Sequence, residues 1–309
     1  MRLPVRDSAI TVRDLLWGAN SGMSDHNVEQ CSRDAENVAM NQEFFRKQTR
    51  KSFVEGSPHL KHKALGDLFE GMVALSYGHI VSRRNKVAVL DMGAGDGALT
   101  LPCLALGAEV LAADTSAEQL DGLERAAAMY RGQLTTMHGD IFRTLDDLEG
   151  RGRRFDVVGT SAFLHHIPDY LKLCRCAAGL LRKNAVFLTF QDPLRYDTLS
   201  RFTYLFDRVS YLGWRLFQGN YIQGLKTRLR RIRGSYRGDL PEDMTEYHVV
   251  RNGVDQLALV ASLESFGFEC RVHSYWSTQS RFFQWAGEAL HLANTFGIIA
   301  TRKEALSAD

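Results

Sequence analysis

Val89-Leu90-Asp91-Met92-Gly93-Ala94-Gly95-Asp96-Gly97 is the stretch whose reading decides the fold: an apolar run meets an acidic residue and then a glycine at every second position. The apolar run reads as a buried strand and the glycines as its turn into the next helix. Such a turn needs backbone angles closed to other residues, and a side chain there would keep a cofactor from lying against the backbone. This is a nucleotide-cofactor loop. The glycines alone leave the cofactor open, because Gly93-x-Gly95-x-x-Ala98 also satisfies the dinucleotide fingerprint, in which a helix N-terminus meets a pyrophosphate.

Outward from the loop, short apolar runs at 87–90, 109–113, 134–137, 155–159 and 185–190 alternate with helical stretches, which implies a parallel sheet with right-handed crossovers. After Gln191-Asp192-Pro193 the alternation stops and does not resume until beyond Pro241. A helix over 254–265 and strands over 269–275 and 295–301 then close the sheet. Upstream, the first 85 residues read as helical and polar. Ser32 or Asp34 caps one predicted helix reaching Phe53, and Pro58 opens another whose Leu65, Leu68, Phe69, Met72, Leu75 and Ile80 favour one face.

The 309 residues, 45% hydrophobic and 24% charged, exceed one average domain and have the composition of an ordinary globular protein. No apolar run is long enough to span a bilayer, and Arg2, Arg6 and Asp7 precede only a short Ala9-Ile10 pair rather than a signal-peptide core, so a cytoplasmic protein is expected. Five scattered cysteines fit reduced thiols, and Cys174-x-Cys176 has the wrong spacing for zinc; no metal site is expected. The net charge of +2 is unevenly distributed. Between Arg195 and Arg237 ten basic residues face two acidic ones, a surplus of eight positive charges against a deficit of six elsewhere.

Three further phrases follow the loop in order. Asp114 ends the second strand, where a carboxylate can accept both hydroxyls of a ribose. Met137-His138-Gly139-Asp140-Ile141 ends the third, and the fourth runs Phe155-Asp156-Val157-Val158-Gly159-Thr160-Ser161-Ala162-Phe163-Leu164-His165-His166-Ile167-Pro168-Asp169. Together with Asp91-x-Gly93-x-Gly95-x-Gly97, these resemble the motifs of the class I S-adenosylmethionine (SAM) methyltransferases of small-molecule type. Asp91 favours that cofactor over a dinucleotide, because a carboxylate repels a diphosphate and attracts an aminosulfonium cation. The resemblance covers 86–190 well and 254–301 loosely; it does not reach the first 85 residues or the insertion.

The resemblance implies an α/β fold: a Rossmann-like seven-stranded, mostly parallel sheet with helices on both faces, plus an N-terminal helical segment and a helical insertion after strand five. The organisation expected is a helical lid or acceptor segment over 1–85, the SAM-binding core over 86–193, a basic and aromatic acceptor cap over 194–245, and completion of the sheet by 246–309. It places Asp91, Gly93, Ala94, Gly95, Asp114, Thr115, Asp140, Ile141, Ser161 and Leu164 at the cofactor, with Asp140 on the adenine amino group, Ile141 under the ring, and Ser161 and Leu164 on the methionine side. Asp140 read by itself is equally a helix cap. His165 or His166 can take a proton from a hydroxyl acceptor; the bland reading is that the pair holds its loop by hydrogen bonds. Asp169 caps the following helix.

In the insertion, Leu199, Phe202, Phe206, Val209 and Leu212 sit at helical spacing and predict an amphipathic lid packed on the core. Tyr196, Tyr204, Arg230, Arg231 and His248 are the candidate acceptor contacts, suited to an anionic or amphiphilic small molecule. Nucleic acid is disfavoured as a partner because no recognised RNA or DNA module occurs, and the basic insertion leaves room for peripheral membrane contact. The expected activity is in-line transfer of a methyl group from SAM to an O, N or C nucleophile of a small molecule. The alternatives are an RNA or protein methyltransferase, or a SAM-binding protein without transfer.

Overall fold

The structure, a computed structural model, describes residues 57–217 and 253–302. Seven strands, β1 (Ala88–Met92), β2 (Glu109–Asp114), β3 (Leu134–His138), β4 (Phe155–Ser161), β5 (Leu181–Pro193), β6 (Phe268–Tyr275) and β7 (Thr295–Arg302), form one sheet in the order β3-β2-β1-β4-β5-β7-β6. β1 to β5 run parallel, and β7 lies antiparallel between β5 and β6. The chain order reverses direction between β1 and β4, so the loops after these strands open a crevice at the carboxyl edge of the sheet.

Successive side chains of a strand point to opposite faces, and both faces of β1, β2, β4, β5 and β7 are covered, which is why these strands hold continuous apolar runs, whereas the edge strands β3 and β6 are buried only in part. Val89 on β1 packs with Val186, Leu188 and Phe190 of β5 under helices α1 (Pro58–Lys61), α2 (Lys63–Val81) and α3 (Thr100–Ala105), with Phe69, Met72 and Val73 of α2 in the same cluster. Of the predicted stripe, Phe69, Met72 and Ile80 belong to the core of this sheet, whereas Leu75 is exposed, and the helix that carries them starts at Lys63 rather than Pro58. Leu90 and Met92, one residue out of phase, pack on the other face with Leu145 and Leu148 of α5 (Ile141–Gly150), which follows α4 (Ala117–Ala126) in the chain. Leu173 of α6 (Tyr170–Gly179) joins them there.

Polar side chains start these helices. Asp140 accepts from Arg143 N at 3.1 Å and Asp169 from Lys172 N at 2.9 Å, each such cap contributing about 1 kcal/mol. At the opposite edge of the sheet from the crevice, buried Asp156 is held by Arg182 at 2.6 Å, Arg84 at 3.0 Å and the amide of Ala88 at 2.9 Å. The aspartate that opens the fourth-strand phrase thus fastens β4 to its neighbours far from any ligand.

Beyond β5 comes α7 (Arg201–Phe217), followed after residue 252 by α8 (Gln256–Ser265), β6, α9 (Arg281–Ala289) and β7. The helical insertion is present, but its orientation corrects the predicted packing. Leu199 precedes the helix, and Phe202, Val209 and Leu212 are exposed, whereas Thr203 and Ser210 are buried. Of the apolar stripe, Phe206 turns inward, its ring 5.4 Å from Trp276 and 5.7 Å from Phe283.

Candidate active site

The glycine loop leaves β1 and enters α3 with Gly93, Gly95 and Gly97 all in the left-handed region, at φ of 70°, 51° and 94°. Their roles differ. A Cβ on Gly93 would lie 2.1 Å from the Phe163 ring, and one on Gly97 would lie 2.4 Å from Leu123, so both glycines are required by internal packing. A Cβ on Gly95 would meet only the flexible carboxamide of Gln119 at 3.3 Å. Gly95 is therefore the glycine that leaves backbone accessible, as a bound nucleoside requires. The amides of Gly93 and Ala94 are both spent on the carbonyl of Ala113, at 2.9 and 3.1 Å, which fastens the loop to the end of β2.

Asp114 stands at that end. Its Oδ2 accepts from Gly95 N and its Oδ1 from Ser116 N, both at 2.8 Å. Burial raises its pKa, while these amides pull it back. Each carboxylate oxygen retains a further lone pair, so a vicinal diol can still be received at this position. Asp140 uses Oδ1 as the cap of α5, and Ile141 is buried behind it, so the cap reading holds and the second oxygen is left to other donors. Thr115 offers its carbonyl to His138 Nε2 at 3.1 Å. Ser161 Oγ, at the end of β4, is buried and has no hydrogen-bond partner among the described residues. Leu164 is fully buried in the turn that follows.

Asp91 lies elsewhere than its sequence role requires. It is 1% exposed, its Oδ2 accepts the Thr100 hydroxyl at 2.7 Å at the start of α3, and burial pushes its pKa up to about 7. It ties β1 to α3 beneath the loop.

The paired histidines sit in a short turn (Leu164–His166) after β4, their rings 4.1 Å apart. Both the backbone N–H and Nδ1 of His165 meet Oδ1 of Asp192, at 3.1 and 2.9 Å. Asp192 is fully buried at the end of β5; burial pushes its pKa up to about 7 and that of the His165 ring down to about 4. The Nδ1 contact sets the orientation of the ring. His166 donates its backbone N–H to Phe163 O at 2.9 Å.

A model described as a methyltransferase domain matches residues 90–187, which hold the glycine loop, Asp114, Asp140 and the histidine turn. Residues 90–187 are thus similar to a methyltransferase domain. Over 98 residues it is 36% identical to the ribosomal RNA small subunit methyltransferase A of Erythrobacter litoralis, covering 31% of this chain and 34% of that protein. Over 127 residues it is 31% identical to the ubiquinone biosynthesis O-methyltransferase of Methylocella silvestris, covering 41% of this chain and 47% of the relative. The chain thus spans less than half the length of these curated relatives. The plantazolicin methyltransferase BpumL, solved with SAH, shares the fold at a TM-score of 0.51 and 11% identity, over 90% of this chain and 99% of that one.

Around the methyltransferase domain, the crevice edge collects residues from distant parts of the chain. Gln191, at the end of β5, donates its backbone N–H to Tyr275 Oη at 2.8 Å and its side-chain amide to Ser277 Oγ. Lys61 and His62 reach the carbonyls of Gln279 and Thr278, at 2.6 and 2.8 Å, docking α1 on the same loop. Next to them His59 is buried with its ring edge toward Phe190, at 6.3 Å between centroids, and burial lowers its pKa to about 4. Asp192, Gln191, Tyr275 and His59 carry no motif; only the acidic residue closing an apolar strand before Pro193 hinted at the first of them. Among the candidate acceptor contacts, Tyr196 and Tyr204 come together at 6.3 Å, with the Arg208 guanidinium over both rings. Arg230, Arg231 and His248 lie outside the described residues.

Proposed function

We propose that this chain transfers the methyl group of SAM to a small-molecule acceptor by in-line displacement. The observation that carries the reading is Asp114, clamped by the amides of Gly95 and Ser116 with capacity for a diol, beside the one glycine of the loop whose side is open. Bound there, SAM supplies a methyl carbon already made electrophilic by the sulfonium charge. The residues of the chain have the simpler task of holding the partners in line and dry, an effect worth roughly 7–11 kcal/mol of barrier. Asp114 receives the ribose hydroxyls, the second oxygen of Asp140 receives the adenine amino group, and the unpartnered Ser161 hydroxyl faces the same edge. Asp192 orients the His165 ring through Nδ1, and that ring is the candidate to take the proton of a hydroxyl acceptor; an amine acceptor would need no such base.

Similarity to an RNA methyltransferase spans 31% of this chain and similarity to an O-methyltransferase 41%, so both acceptor classes enter the test. The test is formation of S-adenosylhomocysteine from SAM in the presence of a cell extract, followed by mass spectrometry of the extract component that gains a methyl group. Turnover that survives RNase and protease treatment and is lost in Gly95→Asp supports the reading. Tight SAM binding with no turnover in any extract would leave a binding protein instead, and loss on RNase treatment would point to RNA.

A further inference from the structure

α7 is amphipathic the wrong way round for a lid. Its protein-facing side carries Thr203, Asp207 and Ser210, and the last two enter a polar network: Asn294 Nδ2 donates to Asp207 Oδ1 at 2.7 Å, Asn294 Oδ1 accepts from Ser277 N at 2.8 Å, and the Thr278 and Ser210 hydroxyls meet at 3.4 Å. Its outer side carries Phe202, Leu205, Val209 and Leu212, of which Leu205 is 63% and Phe202 57% exposed. At 100° per residue these four fall within one narrow arc.

α9 widens the arc. A Cβ on Gly213 would lie 2.7 Å from the Phe283 ring, so the two helices touch along the edge of that stripe, and ring contacts run from Phe202 through Phe206 and Phe283 to Phe282 and Trp285. Phe282 and Trp285 are each 65% exposed. The result is one continuous apolar surface at the crevice edge of the sheet. A soluble domain leaves so large an apolar patch uncovered where it meets a partner.

We infer that this face lies on an anionic membrane surface. Arg201 and Arg208 border the apolar arc on α7, and Arg281 opens α9, whereas Asp207, the acidic residue of α7, is turned inward onto Asn294 and Glu288 of α9 is bonded to Gln284. The border is therefore positive. Aromatic and aliphatic side chains bounded by arginines are the pattern of helices that lie in the interface of a bilayer, with aromatics at headgroup level and anionic lipid paired to the cations. No helix among the described residues is long and apolar enough to cross a membrane, so the contact is with the surface. α7 and α9 are anchored on the loop that also touches Gln191, so a bilayer on this face would border the acceptor side of the site. The inference does not depend on methyl transfer.

The test is sedimentation of the full chain with vesicles of phosphatidylcholine alone and of phosphatidylcholine with phosphatidylglycerol. Wild type is expected to sediment with the mixed vesicles and to be released by high salt. Leu205→Glu combined with Phe282→Glu should lower that binding by about tenfold or more. Arg201→Glu combined with Arg281→Glu should abolish the preference for the anionic lipid. Unchanged thermal melting and SAM affinity in both variants show that the fold and the cofactor site survive. Absence of vesicle binding by wild type, or equal binding by Leu205→Glu/Phe282→Glu, overturns the inference. So does a wild-type dimer that fails to bind vesicles and becomes monomeric in that variant, because the occupant is then a second copy of the chain.

Discussion

Asp91→Asn separates two roles for the acidic residue of the glycine loop. The carboxyl group is 1% exposed with the Thr100 hydroxyl on Oδ2, and burial moves its pKa from the ordinary 3.8 to about 7. A folded-state pKa above the unfolded one means that the native protein holds the proton more tightly. The stability from this residue is therefore complete below about pH 4, declines as pH rises, and is gone above about pH 7. At 1.36 kcal/mol per pH unit, the span corresponds to about 4 kcal/mol. Asparagine keeps an oxygen for Thr100 and has nothing to ionise. Urea unfolding at about pH 4 and about pH 8 should therefore show a loss of stability in wild type that shrinks by up to about 4 kcal/mol in the variant. A residual slope is expected from Asp192, which burial also pushes up to about 7. SAM affinity should fall little. Parallel pH slopes in the two proteins, or a large loss of SAM affinity with no change in slope, would refute the buried role and return Asp91 to the ligand.

Gly93→Ala should cost about 1–3 kcal/mol in thermal melts, because its Cβ runs into the Phe163 ring at a positive φ. Gly95→Ala, facing only the Gln119 carboxamide, should cost about 1 kcal/mol yet weaken SAM binding in calorimetry more than Gly93→Ala does. Asp192→Asn should leave SAM affinity intact; with a hydroxyl acceptor it should lower kcat by about a hundredfold and alter the pH profile, and equal kcat across pH would leave the His165 pair a structural clasp. Charge reversal at Arg230 and Arg231 should raise the acceptor KM with SAM affinity unchanged if the basic run grips an anionic acceptor.

The sheet was legible because its central strands hold short apolar runs separated by helices, and the runs at 109–113 and 295–301 lie within a residue of β2 and β7. β5 is longer than its apolar run of 185–190, because its start at Leu181 pairs with Phe155 across an irregularity in the register. Asp114 could be anticipated, since a carboxylate at a strand end has one local neighbour, the loop it faces. Asp192 could not, because its partner His165 is 27 positions away and nothing local marks the pair.

The sequence by itself determined the alternation of strands and helices in the cofactor half, the glycine loop and the cofactor class, because these depend on local periodicity and on spacing within single loops. The tertiary structure alone decided which glycine faces open space, that Asp91 is buried under α3, that Asp192 holds His165, and that α7 shows its apolar side to the outside. Helical spacing reveals that a helix has two faces; which one is buried depends on what the rest of the chain places against it, and here Asn294 and Thr278 offer hydrogen bonds to the polar face.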